Sequence, residues 1–177
     1  MIIREARPGE LAAVGDLRVA AYEAGGFLNP RYAPELRALG TQGDGTVLVA
    51  IEADDPPASA AADGSGGDGK IAGTIMLVTW PRAGELVGGP DEAEIRALAV
   101  APGVQQGGVG TGLLLTALNW AELAGARRVV LSTLPAMRAA HRLYERNGFR
   151  RLPDRDWSPA PGVQLLAYAL ELGRAAE

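Results

Sequence analysis

An apolar, strand-like run from Ile95 to Val100 empties into Gln105-Gln106-Gly107-Gly108-Val109-Gly110-Thr111-Gly112-Leu113-Leu114, and that stretch opens a helical pattern. Few features constrain a chain more. A strand that ends in a glycine-rich turn at a helix N-terminus brings bare backbone and the unpaired N–H groups of the first helical turn to one point. The helix dipole favours negative charge there. The unit is a seat for a phosphate group, and it points to an α/β chain.

Two phosphate-binding signatures fit poorly. A P-loop needs a Lys-Ser/Thr pair after its last glycine, and none follows here. A dinucleotide fingerprint reads G-x-G-x-x-G, but counting from Gly108 the sixth position is Leu113, and no acidic residue ends a second strand at the expected distance. The same turn could also be a plain helix cap, so its neighbours decide the matter.

The composition narrows the function classes. A chain of 177 residues suits one domain, 1–177, with a real core. The net charge of −4 argues against nucleic acid as a partner, because phosphate neutralisation needs basic patches. With no cysteine, disulfides, thiolate nucleophiles and cysteine-based zinc sites are excluded. One histidine makes a histidine-based metal site a poor reading, so no metal is expected. Met1 to Ala6 has no signal-peptide apolar core, and no apolar run is long enough to span a membrane. The expected location is the cytoplasm, without membrane attachment.

Along the chain, Ile2 to Glu5 reads as a strand. Pro8 and Glu10 begin a helix with Leu11, Val14, Leu17 and Ala20 on one face. Pro34 to Leu39 is a second short helix, with Pro34 suited to a first turn. Strands follow at Thr46 to Ala53 and Ile71 to Trp80. Between them the Pro-, Gly-, Ser- and Asp-rich stretch 54–69 reads as a flexible hairpin loop with little to bury. After a Gly/Pro loop from Pro81 to Pro90, Glu92 to Val100 alternates, with Glu92, Glu94 and Arg96 on one face and Ala93, Ile95, Ala97 and Ala99 on the other. The helix after the glycine loop carries Leu114, Leu118 and Ala121 and ends at Gly125. Arg128 to Thr133 is a strand. A helix with Pro135 in its first turn ends at Asn147-Gly148, and strands at Phe149 to Leu152 and Val163 to Leu172 close the chain.

Three segments carry a resemblance. The spacing Gln105-x-x-Gly108-x-Gly110 resembles the acyl-CoA loop of the GNAT superfamily of N-acetyltransferases. Leu98-Ala99-Val100-Ala101-Pro102 resembles that family's fourth strand with its exit proline, and Leu143-Tyr144-Glu145-Arg146-Asn147-Gly148-Phe149 resembles its LYxxxGF segment. The match is close from Glu94 to Phe149 and coarse elsewhere, and the order β-α-α-β-β-β-α-β-α-β-β resembles a GNAT. The resemblance implies an α/β (α+β) GNAT fold. Its sheet is mixed and mostly antiparallel, of about seven strands with about four flanking helices and splayed central strands. It also implies acetyl-CoA as acyl-donor cosubstrate and a primary amine as acceptor, on a small molecule or on a peptide or protein.

On that resemblance, the backbone of Leu98, Ala99 and Val100 would pair with the pantetheine arm as a missing strand would, and a freed N–H there could polarise the thioester carbonyl. Leu98 and Val100 can pack the core as well, since the ligand uses only their backbone. Gln105 stands where many members have Arg or Gln, and Gln106 where Arg or Lys is common. With no cation in the loop, the pyrophosphate would rest on the amides of Gln106, Gly107, Gly108, Val109, Gly110 and Thr111, with Arg138 or Arg142 as further charge. Tyr144 matches the family tyrosine that protonates the departing thiolate, though it could simply pack the helix on the sheet. Glu94, in a run resembling the base-bearing strand of histone-type members, is the candidate base, the more so if its pKa is raised; it could instead pair with Arg96. Glu92 is a weaker substitute. Met137 replaces an asparagine that touches the pantetheine region in many members, so that contact must be apolar or replaced. Ser132 stands where some N-terminal peptide acetylating members have glutamate, which argues against that subclass. His141 reads as a packing residue.

The leading expectation is an acetyl-CoA-dependent N-acetyltransferase. The alternative is a non-catalytic acyl-CoA-binding sensor or scaffold, which would need neither Tyr144 nor Glu94. The acceptor pocket is expected among the first helices, the Pro81 to Pro90 loop and the Pro153 to Pro161 segment with Trp157, with Tyr22, Phe27 and Tyr32 as aromatic walls. A homodimer is left open. Because 54–69 has so little to bury, replacing it with a short Gly-Ser turn should leave the melting temperature and CoA binding nearly unchanged. A large loss of stability in a thermal scan would show that this segment packs on the body.

Overall fold

Runs of Val, Ile, Leu and Ala at strand spacing form the centre of the molecule, and each of the sheet's two faces is covered by helices. The computed structural model describes residues 1–52, 69–82, 86–105 and 107–173. The expected 54–69 loop, apart from Gly69, and Gln106 lie outside them.

The strands are Ile2–Glu5 (β1), Thr46–Ile51 (β2), Ile71–Thr79 (β3), Glu92–Val100 (β4), Arg128–Thr133 (β5), Arg150–Arg151 (β6), Trp157–Ala160 (β7) and Val163–Glu171 (β8). The helices are Leu11–Ala24 (α1), Ala33–Ala38 (α2), Val109–Leu123 (α3) and Arg138–Arg146 (α4). One sheet runs β1-β2-β3-β4-β5-β8-β6, with β7 paired to β8. Among the described residues, β4 and β5 pair in parallel and every other pairing is antiparallel. This is the mixed, mostly antiparallel sheet expected, with one more strand than expected. β7 escapes sequence reading because Pro159 and Pro161 break its pattern, and only the hairpin to β8 makes it a strand. The final helix begins at Arg138, leaving Pro135 in the turn before it.

α3 and α4 cover one face. Leu113, Leu114, Ala117 and Ala121 of α3 are fully buried against Leu48, Ile75, Leu77, Ile95 and Leu131, and Tyr144 and Phe149 close the same cluster. Each leucine or isoleucine so buried contributes about 1.5–3 kcal/mol. α3 can lie this close because β3 carries Gly73, where a Cβ would stand 2.9 Å from Val109 Cγ1 and 3.0 Å from Leu113 Cδ1.

α1 covers the other face, where Val14 packs on Val47, Val49, Ile51, Met76 and Val78. Its buried stripe is Val14, Gly15 and Arg18, whereas Ala20 is exposed, so the helix is turned from the face its apolar spacing suggested. The cause is α2. A Cβ on Gly15 would stand 2.5 Å from the Arg37 carbonyl oxygen and 2.7 Å from Arg37 Cγ. Only glycine lets the two helices meet there. Gly15→Ala should therefore cost about 1–3 kcal/mol through overpacking, read as a lowered melting temperature. An unchanged value would mean that α2 moves aside without penalty.

Candidate active site

The strand β4 does not keep its expected alternation. Met76 pairs with Arg96 and Thr74 with Ala99, so Ala97 and Leu98 oppose the single residue Ile75. This is a β-bulge, and Ala97 takes a left-handed conformation with φ 51°. The extra residue reverses the sides that follow. Cross-strand partners share a face, so the side each residue takes follows the register: Ala99 joins Glu94 and Arg96 on the α1 face, while Leu98 and Val100 pack into the α3 cluster. Ala99 was expected on the opposite face.

Beyond the bulge β4 leaves β5. The parallel pairing covers Glu92–Ile95 against Arg128–Leu131 and then stops. Arg96–Val100 stay with β3, and Ser132 and Thr133 stay with β8. Past Ile95 no ladder joins β4 to β5, which leaves a wedge with the backbone of Leu98, Ala99 and Val100 along one side. Met137 stands by the other side, its sulfur 3.7 Å from Thr133 Oγ1. The contact at Met137 is with the end of β5, and the residue also precedes the first turn of α4.

The glycine loop sits at the end of the β4 side. Gly108 adopts φ 74°, ψ 7° and caps α3; a side chain there would be strained. Nothing within 4 Å would meet a Cβ on Gly108, so the turn is open on its outer side. The N–H groups of Val109, Gly110 and Thr111 belong to the first helical turn and have no partner within the helix by geometry. Gly107 N–H instead donates to Val104 O at 3.2 Å. Gln105 is exposed. A Cβ on Gly110 would lie 3.4 Å from Leu143 Cδ2 and 3.6 Å from Val100 Cγ2. Val100, the loop and α4, far apart in the chain, thus meet at one place.

Glu94 and Tyr144 lie on opposite faces beside the wedge. Glu94 is 2% exposed. Leu86 N–H donates to its Oε2 at 3.3 Å, and Arg96 Nε stands 3.7 Å from its Oε1. Leu86, in the loop after β3, therefore reaches this carboxylate. Glu92 is engaged differently. Arg155 donates to it through two nitrogens at 2.6 and 2.9 Å, Gly88 N–H donates at 2.7 Å, and Arg128 lies 3.5 Å away. Burial alone would raise this carboxyl, but the Arg155 fork and the Gly88 N–H outweigh it and hold it below the usual range. A carboxylate so well supplied with donors is a structural clamp.

Tyr144 is buried in an aromatic group, its ring centroid 5.7 Å from Phe149 and 6.2 Å from Tyr168. Burial first, and the Tyr22 phenol second, push its hydroxyl well above the ordinary range. Tyr144 thus does pack the helix, and it keeps its proton. His141 tilts on Tyr168 at 5.5 Å, with Nε2 3.0 Å from Leu134 O, which is the packing role read from the sequence. Arg138 and Arg142 are exposed on α4. Tyr22, on α1, is half-buried, and burial pushes its phenol to about 12. Tyr32, before α2, is also raised, by burial first, against the opposing pull of the Arg96 charge.

Two residues were missed as site candidates. Arg96 was read only as a partner for Glu94, yet it also meets Tyr32. Arg18 was not read at all. It is 0% exposed and donates through Nη1 to Leu39 O at 2.7 Å, while Nε and Nη2 have no hydrogen-bond partner. Its spacing four residues after Val14 was the available signal, because it puts an arginine on the buried stripe.

Solved structures share this architecture. A protein from Desulfovibrio desulfuricans, described as an acetyltransferase of the GNAT family, is 21% identical with a TM-score of 0.68, over 96% of this chain and 98% of that one. An acetyltransferase of the GNAT family from Staphylococcus aureus Mu50 is 18% identical with a TM-score of 0.69, over 97% and 99%. A Salmonella typhimurium protein described as an acetyltransferase, and solved with its cofactor acetyl-CoA, is 20% identical with a TM-score of 0.64, over 100% and 96%. No curated protein matches the chain. The model of the Acetyltransferase (GNAT) family matches residues 29–149, more than half of the sequence and the part that holds the bulge, the glycine loop and Tyr144, and the chain therefore belongs to the GNAT acetyltransferase family.

Proposed function

We propose that this protein transfers an acetyl group from acetyl-CoA to a primary amine by direct attack, within the wedge between β4 and β5. The observation that carries the reading is the end of the β4–β5 ladder at Ile95 and Leu131, with Glu94 on one face of the sheet and Tyr144 on the other.

The residues fit the donor. The unpaired β4 edge at Leu98, Ala99 and Val100 offers strand-type hydrogen bonds to an amide-bearing arm. The open turn at Gly107 and Gly108 and the first-turn amides of Val109, Gly110 and Thr111 suit a pyrophosphate. Gln105 lies beside that turn and Gln106 precedes it in the sequence, and Met137 faces the arm from the β5 side. When bound, acetyl-CoA supplies the activated acyl group.

Glu94 accepts a proton from the incoming ammonium, directly or through one water, so that the nitrogen lone pair is free to attack the thioester carbon. A backbone N–H on the freed β4 edge stabilises the developing oxyanion. As the C–N bond forms and the C–S bond breaks, the electron pair goes to sulfur. Tyr144 meets that charge with its hydroxyl. Because its phenol holds its proton so firmly, Tyr144 acts first as a hydrogen-bond donor to sulfur. Of the two protons lost by nitrogen, one leaves through Glu94 to solvent and the other ends on the CoA thiol. A sensor that only binds acyl-CoA would need neither a carboxylate on one face nor a phenol on the other.

CoA should raise the melting temperature by linkage, whereas NADH and ATP should not. Gly108→Asp should abolish that shift while the variant still unfolds cooperatively, since it sets a strained, negative side chain in the open turn. Unchanged CoA affinity in a folded Gly108→Asp variant, measured by calorimetry, would remove this loop from the site.

Tyr144→Phe should lower kcat by about 10²- to 10⁴-fold, with little change in the KM for acetyl-CoA, as expected for a group needed only when sulfur departs. Glu94→Gln should remove the rise of kcat/KM with increasing pH, because a base works only when deprotonated. Full turnover by Tyr144→Phe would leave Tyr144 a packing residue alone.

A further inference from the structure

The α1 face of the wedge holds two arginines, Arg18 and Arg96, and the donors of the buried one are not all met. Arg18 is completely buried, and it donates from Nη1 to the carbonyls of Leu36 and Leu39, at 3.4 and 2.7 Å. Its Nε and Nη2 lack partners, although a buried guanidinium ordinarily satisfies its donors. Arg96 stands beside Glu94, but at 3.7 Å from Nε to Oε1 the contact is a long one. Arg18 and Arg96 belong to one cluster, since both act on the Tyr22 and Tyr32 phenols and the Arg96 charge also acts on Arg18. Desolvation already brings Arg18 down to about 10, a sign that its charge lacks compensation. Asp44 also faces it, but that carboxylate accepts from Gly40 N–H at 3.0 Å.

An acceptor must approach Glu94 with its ammonium. A plain alkylamine would set a third cation beside two arginines. A zwitterion would instead exchange with the Glu94–Arg96 pair end for end, its ammonium on the glutamate and its carboxylate on the arginine. The spacing suits a short molecule. In an α-amino acid two bonds of about 1.5 Å separate the amine nitrogen from the carboxyl carbon, and Glu94 and Arg96 approach each other within 3.7 Å.

We propose that the acceptor is a small amine bearing a carboxylate only a few bonds away, an amino-acid-like zwitterion whose carboxylate is held by Arg96, on the face of the sheet that also carries the buried, incompletely partnered Arg18. Trp157 is the third buried donor of this face without a partner, at Nε1, and packs beside Leu86 and Val130. The inference rests on the acetyl-transfer reading above.

The test is a panel of α- and β-amino acids, each paired with its carboxamide, together with simple alkylamines. Thiol release from acetyl-CoA and the mass of the N-acetyl product are followed. At least one free acid should exceed its carboxamide by about 10- to 100-fold in kcat/KM, the range of a charge-assisted hydrogen bond. Arg96→Gln should bring that ratio close to one, mainly through KM, with CoA-induced thermal stabilisation reporting that the variant is folded. If carboxamides or alkylamines react as well as the acids, the inference is wrong while acetyl transfer stands. A ratio unchanged in Arg96→Gln would overturn the assignment to that residue. If CoA binds but no amine in the panel releases thiol, the transfer reading fails, and the inference falls with it.

Discussion

The bulge at Ala97 is the constraint on which the site depends. A regular β4 would go on pairing with β5 beyond Ile95, and the sheet would close. One extra residue between Arg96 and Ala99 turns the strand, so that β4 follows β3 while β5 follows β8. An alanine at φ 51° is unfavourable by about 1–2 kcal/mol. The surrounding ladder sustains it, because Thr74, which pairs with Ala99 just past the bulge, is itself buried and fixed by its hydroxyl bond to Leu48 O at 2.9 Å. The opened backbone and the reversed side-chain order are two results of the same inserted residue. It sends Leu98 and Val100 to the α3 core and Ala99 to the α1 face.

Ion pairs then set the far wall. Arg155 grips Glu92 from a segment 63 positions later in the chain. Arg151 grips Asp156 through two nitrogens at 2.8 and 2.7 Å, and Asp156 also accepts from Ala167 N–H at 2.7 Å. Such bidentate pairs add geometric specificity as well as energy. They hold the turn between β6 and β7, and hence Trp157, against the rest of the sheet. The partly exposed pairs add little net stability; their main effect is to fix where this turn lies. Glu92 and Glu94, two residues apart on one face, therefore have separate roles: the first clamps a loop, and the second is left beside Arg96 at the wedge.

Much of this was legible in the sequence because it depends on local chemistry. The strand, glycine turn and helix from Ile95 onward follow from period-two and helical spacing and from the left-handed turn that Gly108 supplies. The LYxxxGF-like segment put Tyr144 and Phe149 on one helix and its exit, and the tertiary structure packs their rings together. The fourteen-residue α1 was also readable as a helix. Its orientation was not, because a glycine among apolar residues does not reveal that a second helix backbone will lie 2.5 Å from the place of its Cβ.

The sequence by itself determined the order of elements, the phosphate-type turn, the buried tyrosine and the two glutamates of β4, since each rests on neighbours within a few positions of the chain. The tertiary structure alone decided the bulge, the strand β7, the clamp on Glu92 and the buried guanidinium of Arg18. Those depend on partners distant in sequence, and an extra residue opposite one, or an arginine on an apolar stripe, acquires meaning only when the facing strand or helix is in place.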